Sequence, residues 1–243
     1  LAELRLREGG FANTQERVLV LEKLGDVERA RGDFAAARAY YAEAGSAAER
    51  AELVGGEWPA RLLALEALTY AQREPARAAE LLEQALARFE AAPGNSDHVE
   101  WLRTHRLRLA KLHGALGDPA RGLALLAEVA AQGDGELTLK QRLELAAAES
   151  DLAFSSRDFQ RAERVTREAF ELARRELGER ASAVATLRFQ LGRAVFELGR
   201  RDEARELMEA ALATRRELTG VDSPAARQFA DAIAGYFPGP KAP

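Results

Sequence analysis

Three histidines, His98, His105 and His113, are the residues whose type most directly raises the question of a metal site. All three fall in one stretch with helical character. Their spacings of seven and eight residues place His98 and His105 roughly on one helix face but about two turns apart, too far to share an ion. The i, i+4 spacing that helical metal sites use does not occur among them. We therefore expect no metal site.

Other patterns that carry chemistry are also missing from the sequence. Most carboxylates lie near an arginine at helical spacing, as Glu163 does with Arg167, which is typical of solvated helix faces. The run "GDGE" at 133–136 lacks the lysine of a phosphate-binding loop, and no serine stands in a Gly-x-Ser-x-Gly context. The sequence predicts a protein that is not an enzyme and that holds no cofactor.

The charge balance excludes general attraction to polyanions. Lys and Arg total 35 against 39 Asp and Glu, which gives a net charge of −4 and a weak long-range field. Nucleic acid and anionic membranes are therefore not expected partners. Cysteine is absent, which excludes disulfides and thiolate sites.

The ends of the sequence bear on where the protein works. The opening "LAELRLREGG" has neither the basic region nor the apolar region of a secretory signal, and no apolar run reaches the length of a membrane span. We expect a cytoplasmic protein. The sequence begins at Leu1 and its only methionine is Met208, so we also expect a fragment or processed part of a longer product.

The elements that position these residues follow from an internal repeat. The run "RGDFAAARAYYAEA" at 31–44 returns four times with its small residue about every forty positions, at Ala37, Ala78, Gly122, Ala162 and Ala204. In each run a larger residue follows at i+4 and a second small or β-branched residue at i+7, the stripe of an amphipathic helix. A second helical stretch precedes each run. The repeat predicts antiparallel helical hairpins.

The junctions between the paired helices contain residues that end and start helices. Gly32-Asp33 and Gly117-Asp118-Pro119 combine a helix-ending glycine with an N-capping acid, and Glu74-Pro75 adds a first-turn proline. Each junction is therefore a tight reversal of the chain.

These residues resemble the tetratricopeptide repeat (TPR) family. The run "KLGDVERARGDFAAARAYYAEA" at 23–44 and the run "QLGRAVFELGRRDEARELMEAAL" at 190–212 carry the Leu-Gly, Gly-Asp-aromatic and alanine positions of its pattern. The long period and the extended joints resemble the kinesin-light-chain type of repeat, and we expect a bacterial source. The resemblance implies an all-α, right-handed solenoid of five helical hairpins with a C-terminal capping helix.

The predicted boundaries follow from the repeat phase. They are an N-terminal segment or the end of a preceding helix at 1–13, a TPR array at 14–237 with hairpins at 14–54, 57–92, 98–132, 138–177 and 181–219, a capping helix at 224–237, and a proline-rich tail at 238–243. The stripe of Ala226, Phe229, Ala230, Ile233 and Phe237 on the capping helix has only the fifth repeat to cover.

In the TPR family the first helix of each hairpin lines a concave groove. Carrying that register over places these residues in the groove: Glu22, Lys23, Asp26, Arg29, Leu63, Tyr70, Arg108, Lys111, Glu144, Asp151, Phe154, Phe189, Gln190, Arg193 and Phe196. Aromatic residues beside arginines are typical of interface hot spots. The predicted partner-binding residues are therefore Tyr70, Arg108, Lys111, Phe154, Phe189, Arg193 and Phe196. An error of one residue in the register would instead bury the three phenylalanines between repeats.

The resemblance implies a scaffold that binds a protein or peptide in its groove. A basic and aromatic trough would suit an extended or helical segment with acidic and apolar side chains. The Lys/Asn/Arg clamp with which some family members bind a chaperone's C-terminus is not matched, because its positions read Glu22, Asp26, Leu63 and Ala64. An alternative is a sensor or regulatory domain of a larger bacterial signalling protein, such as a kinase, a STAND-type ATPase or a transcription regulator, which binds a small ligand or a neighbouring domain. A base-reading RNA-binding repeat is disfavoured by the acidic net charge.

Overall fold

The structure is a computed structural model that describes residues 15–53, 57–91, 96–131 and 137–238, with only the backbone at 96–98. The predicted N-terminal segment, the side chain of His98 and the tail beyond Pro238 lie outside the described residues. The described helices belong to two compact units, and the chain passes from the first unit to the second between Leu125 and Leu126.

Eleven helices make up the described secondary structure, and it is all-α as predicted. They are α1 (Gln15–Arg31), α2 (Phe34–Arg50), α3 (Trp58–Tyr70), α4 (Pro75–Glu90), α5 (Ser96–Ala115), α6 (Pro119–Ala131), α7 (Leu139–Ser155), α8 (Phe159–Leu177), α9 (Ser182–Glu197), α10 (Arg201–Thr219) and α11 (Pro224–Tyr236). The prediction of five successive hairpins and a capping helix is confirmed. In the second unit, α9 packs against both α8 and α10, and α11 packs on α10.

The turn within the first hairpin is closed by the residues that the sequence indicated. Gly32 adopts a φ of +85°, and the carboxylate of Asp33 accepts a hydrogen bond of 3.0 Å from the backbone of Ala36 at the start of α2. In the fourth hairpin Asp158 caps α8 in the same way through Arg161, while Arg157 takes the left-handed conformation at φ 60°. The turn geometry is therefore retained without a glycine.

Small residues lie where the two helices of a hairpin cross. A β-carbon added to Gly192 of α9 would lie 2.7 Å from the side chain of Met208 and 3.1 Å from the carbonyl oxygen of Ala204. Gly25 of α1 meets the ring of Tyr41 in the same way. Ala204 is fully buried. The Leu-Gly and alanine positions of the repeat are therefore set by the close approach of the paired helices.

Candidate partner-binding surface

The predicted partner-binding residues divide between the two units. Tyr70, Arg108 and Lys111 belong to the first unit, and the other four belong to the second. Each group is therefore described within its own unit.

Tyr70, the last residue of α3, is half-buried and lies beneath an arginine of the preceding hairpin. The guanidinium carbon of Arg38 is 4.7 Å from the centre of the Tyr70 ring, and the same side chain donates a 3.3 Å hydrogen bond to Thr69. This arrangement is a cation–π contact between neighbouring hairpins. Tyr70 thus already has a partner within the fold.

Arg108 lies on α5 at the end of an aromatic stack. Phe89, Trp101 and His105 stack in sequence, with ring centres 3.9 and 3.8 Å apart. The Nδ1 of His105 is 2.8 Å from the Trp101 carbonyl oxygen, and a guanidinium nitrogen of Arg108 is 3.2 Å from its Nε2. Nδ1 therefore donates to the carbonyl and Nε2 accepts from Arg108, which is the arrangement of a neutral imidazole.

Burial dominates the electrostatics of this stack. It lowers the pKa of His105 to about 4, and the nearby charges of Arg108 and Arg61 add to the effect. Burial also lowers the pKa of Arg108, and the charge of Arg29 lowers it further. Lys111, one helical turn beyond Arg108, is exposed.

The residues of α1 that the register placed in the groove form an internal ion-pair network. Glu22 is almost completely buried and lies 2.7 Å from Arg61 and 3.0 Å from Lys23. Asp26 accepts a 3.1 Å hydrogen bond from the Tyr41 hydroxyl. Glu22 is thus a structural residue of the first unit, because its carboxylate is already paired and leaves no surface for a guest.

In the second unit, Phe189 and Phe196 pack against the capping helix. Phe189 is 8% exposed, and its ring centre is 4.4 Å from that of Phe229. Phe196 makes edge contacts with Tyr236 and Phe237 at 4.9 and 5.3 Å. The aromatic rings of α9 therefore serve largely as the surface on which α11 lies.

Arg193 lies between two aromatic side chains. Its guanidinium carbon is 4.8 Å from the centre of the Phe154 ring, and its Nε donates a 3.1 Å hydrogen bond to the hydroxyl of Tyr236. Phe154 also contacts Phe159 edge to face. Within the described part of the chain no carboxylate lies at ion-pair distance from Arg193. Its guanidinium charge is therefore available to pair with a ligand.

An open cavity of about 470 Å³ lies between α7 and α9, beside the predicted residues. Its floor is apolar, and its rim carries Lys140, Glu144, Thr186 and Gln190. Lys140 and Glu144 lie 3.8 Å apart, one turn from each other on α7. The apolar lining residues are Leu139, Leu143, Ala147, Leu177, Ala183 and Leu187.

A second cavity, of about 360 Å³, lies beside the first along α9, between α9 and α11. It is lined by Phe189, Arg193, Gln228 and Tyr236 together with other residues of the two helices. Thr186 and Gln190 line both cavities. The two cavities therefore adjoin along one face of α9 and form a single wall across α7, α9 and α11, which we call the α9 wall.

The register of the repeat did not identify the apolar half of this wall. Leu139 and Leu143 on α7, and Ala183 and Leu187 on α9, each follow an i, i+4 spacing on the first helix of a hairpin. That spacing was the available signal. Leucines of a helical array are ordinarily assigned to its core, however, and the sequence does not show which of them the neighbouring helices leave uncovered.

Among the described residues, no group of three or more His, Asp or Glu side chains is placed to hold a metal ion. None of the helices in the same residues combines the length and the apolar character that crossing a membrane requires.

Part of this chain matches a known protein family. Residues 144–217, from α7 to α10, match the tetratricopeptide repeat family. No curated protein matches the sequence. The fold resembles the crystal structure of a kinesin light chain from Podosopora anserina with nearly identical TPR-like repeats, with a TM-score of 0.68 and 21% identity over 83% of this chain and 96% of that one.

Two further solved structures share the fold at lower similarity. BtubC (BKLC) from P. vanneervenii has a TM-score of 0.56 and 18% identity over 94% of this chain and 95% of that one. Acl4, an assembly chaperone of RpL4, has a TM-score of 0.51 and 19% identity over 96% and 93% of the two chains. A bacterial source stays a prediction, as does the right-handed course of the whole array. Residues 144–217 therefore belong to the tetratricopeptide repeat family, and the fold of the described chain resembles the TPR-like repeats of kinesin light chain.

Proposed function

We propose that the α9 wall binds an extended segment of a partner protein, without a cofactor. The observation that carries the proposal is the continuity of the two cavities, which meet at Thr186 and Gln190. A wall that spans three helices suits a chain that runs across it.

The composition of the wall favours an apolar and acidic guest. The cavity between α7 and α9 offers leucine and alanine side chains, which are suited to an apolar anchor. In the cavity between α9 and α11, Arg193 offers a charge that no carboxylate of the described residues neutralises. Arg200, directly before α10, differs from Arg193 because it binds both Glu163 and Glu203. Arg193 is thus the residue of this wall suited to an acidic side chain.

This proposal changes the roles of the predicted site residues. Arg193 and Phe154 remain contact residues, with Leu143, Leu187 and Gln190 added from the wall. Phe189 and Phe196 support the surface by packing under α11. The role of Arg108 and Lys111 as contact residues of the first unit is also part of the proposal. We further propose that the protein works in the cytoplasm and binds neither nucleic acid nor membrane.

A regulatory domain that binds a small ligand is the second candidate, and one observation favours it. A separate cavity of about 440 Å³ lies in the first unit, lined by Tyr41, Leu62, Glu66 and Arg88 among others. Its volume is in the range that small-molecule sites occupy. In this alternative the domain is the sensor of a larger signalling protein, and the ligand enters the first unit.

Site-specific photo-crosslinking tests the proposed surface. Glu144 on the rim of the α7–α9 cavity and Glu209 on α10 are matched positions, since both are exposed and each lies 3.8 Å from a basic residue one turn earlier. A benzoylphenylalanine at position 144 is expected to crosslink a partner protein from the source lysate, and one at position 209 is not. Equal labelling from both positions, or labelling from 209 alone, would place binding elsewhere.

A further inference from the structure

Gly45, inside α2 of the first unit, is a glycine that helix packing does not require. A β-carbon at this position would meet only Leu62, whose nearest methyl carbon is 3.9 Å away, so an alanine would fit. Gly25 of α1 is different, because a β-carbon there would collide with the ring of Tyr41. A glycine in a helix interior is less favourable than an alanine. What the missing side chain of Gly45 does instead is widen the cavity of about 440 Å³ that it lines.

Glu66 of α3 is a second departure from the repeat, and it lines the same cavity. It stands twelve residues before the small residue of its repeat, where Gly25 and Gly192 stand in the first and fifth repeats. Its side chain is half-buried and makes no hydrogen bond or ion pair within the described part of the chain. A carboxylate that is partly withdrawn from water without a cation beside it does not stabilise the fold. Glu66 is therefore suited to a ligand that brings the cation.

The two helices place Glu66 at one end of an elongated cavity. They follow one another in the chain with residues 51–57 between them, and helices joined in this way run antiparallel. The lining of the cavity extends from Tyr41 to Glu49 on α2 and from Pro59 to Glu66 on α3. Tyr41 and Glu66 thus lie at one end, and Glu49 and Pro59 lie at the other. The helical rise between the ends is about 10 Å.

Resting on the second candidate function, a domain that binds a small ligand, we infer that this cavity binds an organic amine. Its ammonium group lies against Glu66, and its apolar body lies over Gly45 and Leu62. A primary amine is protonated at neutral pH, as lysine is. At the far end, Glu49 and Arg88 are exposed and opposite in charge, so their fields offset each other in water. The half-buried carboxylate is therefore the charge that selects the ligand.

Three compounds with the same apolar body test this selectivity on the intact chain. Hexylamine, hexanol and hexanoate are titrated separately by NMR at neutral pH. Hexylamine is expected to shift the methyl resonances of Leu62 and Leu63 and to bind about tenfold more tightly than hexanol, the size of one hydrogen bond to a charged group. Hexanoate is expected to bind most weakly. Glu66→Gln keeps the shape of the side chain and is expected to lower the affinity for hexylamine to that for hexanol. Glu206→Gln, at an exposed position of α10, is the control and is expected to keep the difference.

Gly45→Leu separates a binding site from a gap in the packing. The leucine fills the cavity and removes a glycine from a helix interior. We expect it to abolish the hexylamine shifts at Leu62 and Leu63 without lowering the midpoint of urea unfolding. Gly235→Leu on α11 is the matched control, since a β-carbon there meets nothing within 4 Å, and it is expected to leave hexylamine binding unchanged.

The outcomes distinguish the amine from the small-ligand site as such. If hexanol or hexanoate binds at Leu62 and Leu63 as tightly as hexylamine does, or if Glu66→Gln leaves the preference for the amine unchanged, the inference is overturned while a small-ligand site in this cavity stands. If none of the three compounds shifts those resonances, or if Gly45→Leu leaves the shifts intact, both the inference and the small-ligand candidate for this cavity fail. The crosslink from position 144 decides the α9 wall separately.

Discussion

At the scale of single residues, Arg193 and Arg200 show two uses of the same side chain in one hairpin. Arg200 donates to Glu203 at 2.8 Å and to Glu163 at 2.9 Å, and these hydrogen bonds raise its pKa above the usual value. It ties the start of α10 to α8. Arg193 is held by Phe154 and Tyr236, which fix its position without neutralising its charge. The first arginine therefore stabilises the array, and the second is suited to binding.

His105 gives a prediction for the pH dependence of stability. Its pKa falls from 6.5 to about 4 on folding, so the unfolded chain binds the proton more tightly. The stability that the neutral imidazole contributes is fully present above pH 6.5 and is lost as the pH falls towards 4. Between pH 7 and pH 5 we expect the wild type to lose about 2 kcal/mol more unfolding free energy than His105→Phe, which keeps the ring stack. Urea denaturation of both proteins at the two pH values measures this.

An equal loss for the two proteins would contradict a neutral, buried His105. His113 and the carboxylates are the same in both proteins. The comparison with His105→Phe therefore isolates the one imidazole.

At the scale of helices and hairpins, the sequence alone predicted the hairpins and turns, which local interactions determine. The period of small residues predicted the hairpins, and the Gly-Asp junctions predicted the turns at Gly32 and Asp33. It was harder to predict which helix packs on each buried face, because helical periodicity identifies a buried face without identifying the helix that buries it. The stripe on the capping helix and the phenylalanines of α9 were assigned separate roles from sequence, whereas Phe229 and Phe189 face each other.

The crossing of α9 and α10 gives a prediction for packing. Ala204 is fully buried, and its carbonyl oxygen lies close to the position that a β-carbon on Gly192 would take. Ala204→Leu is expected to overpack this crossing and to cost about 1–3 kcal/mol of unfolding free energy. Ala210→Leu adds the same side chain at an exposed position of the same helix and is expected to change stability by less than about 0.5 kcal/mol. Thermal melts with indistinguishable midpoints for the two variants would show that the helices do not cross here.

At the scale of the whole molecule, an array of hairpins leaves an unpaired face wherever it stops. Within each unit, the second helix of a hairpin is covered by the hairpin that follows, as α3 covers α2, α5 covers α4 and α9 covers α8. In the second unit the last hairpin is covered by a single helix, α11, and no described helix follows α11. Its described side chains outside the contact with α9 and α10 include the exposed Arg227 and Asp231. A polar outer face is what a terminal cap of a repeat array requires.

Removing this cap tests its role directly. A chain that ends at Asp222 loses α11 and uncovers Phe189, Met208 and Ala211, which Phe229 and Ile233 cover in the full chain. The uncovered surface is apolar and contiguous, so the shortened protein is expected to self-associate in sedimentation velocity runs at rising concentration and to melt at least about 5 °C lower. The control is the full chain with Arg227→Ala and Asp231→Ala, which alters only exposed positions of α11 and is expected to remain unchanged in both measurements. A shortened chain that stays monomeric and keeps its melting temperature would show that α11 is not the cap of the array and that the α9–α10 surface is stable in water on its own.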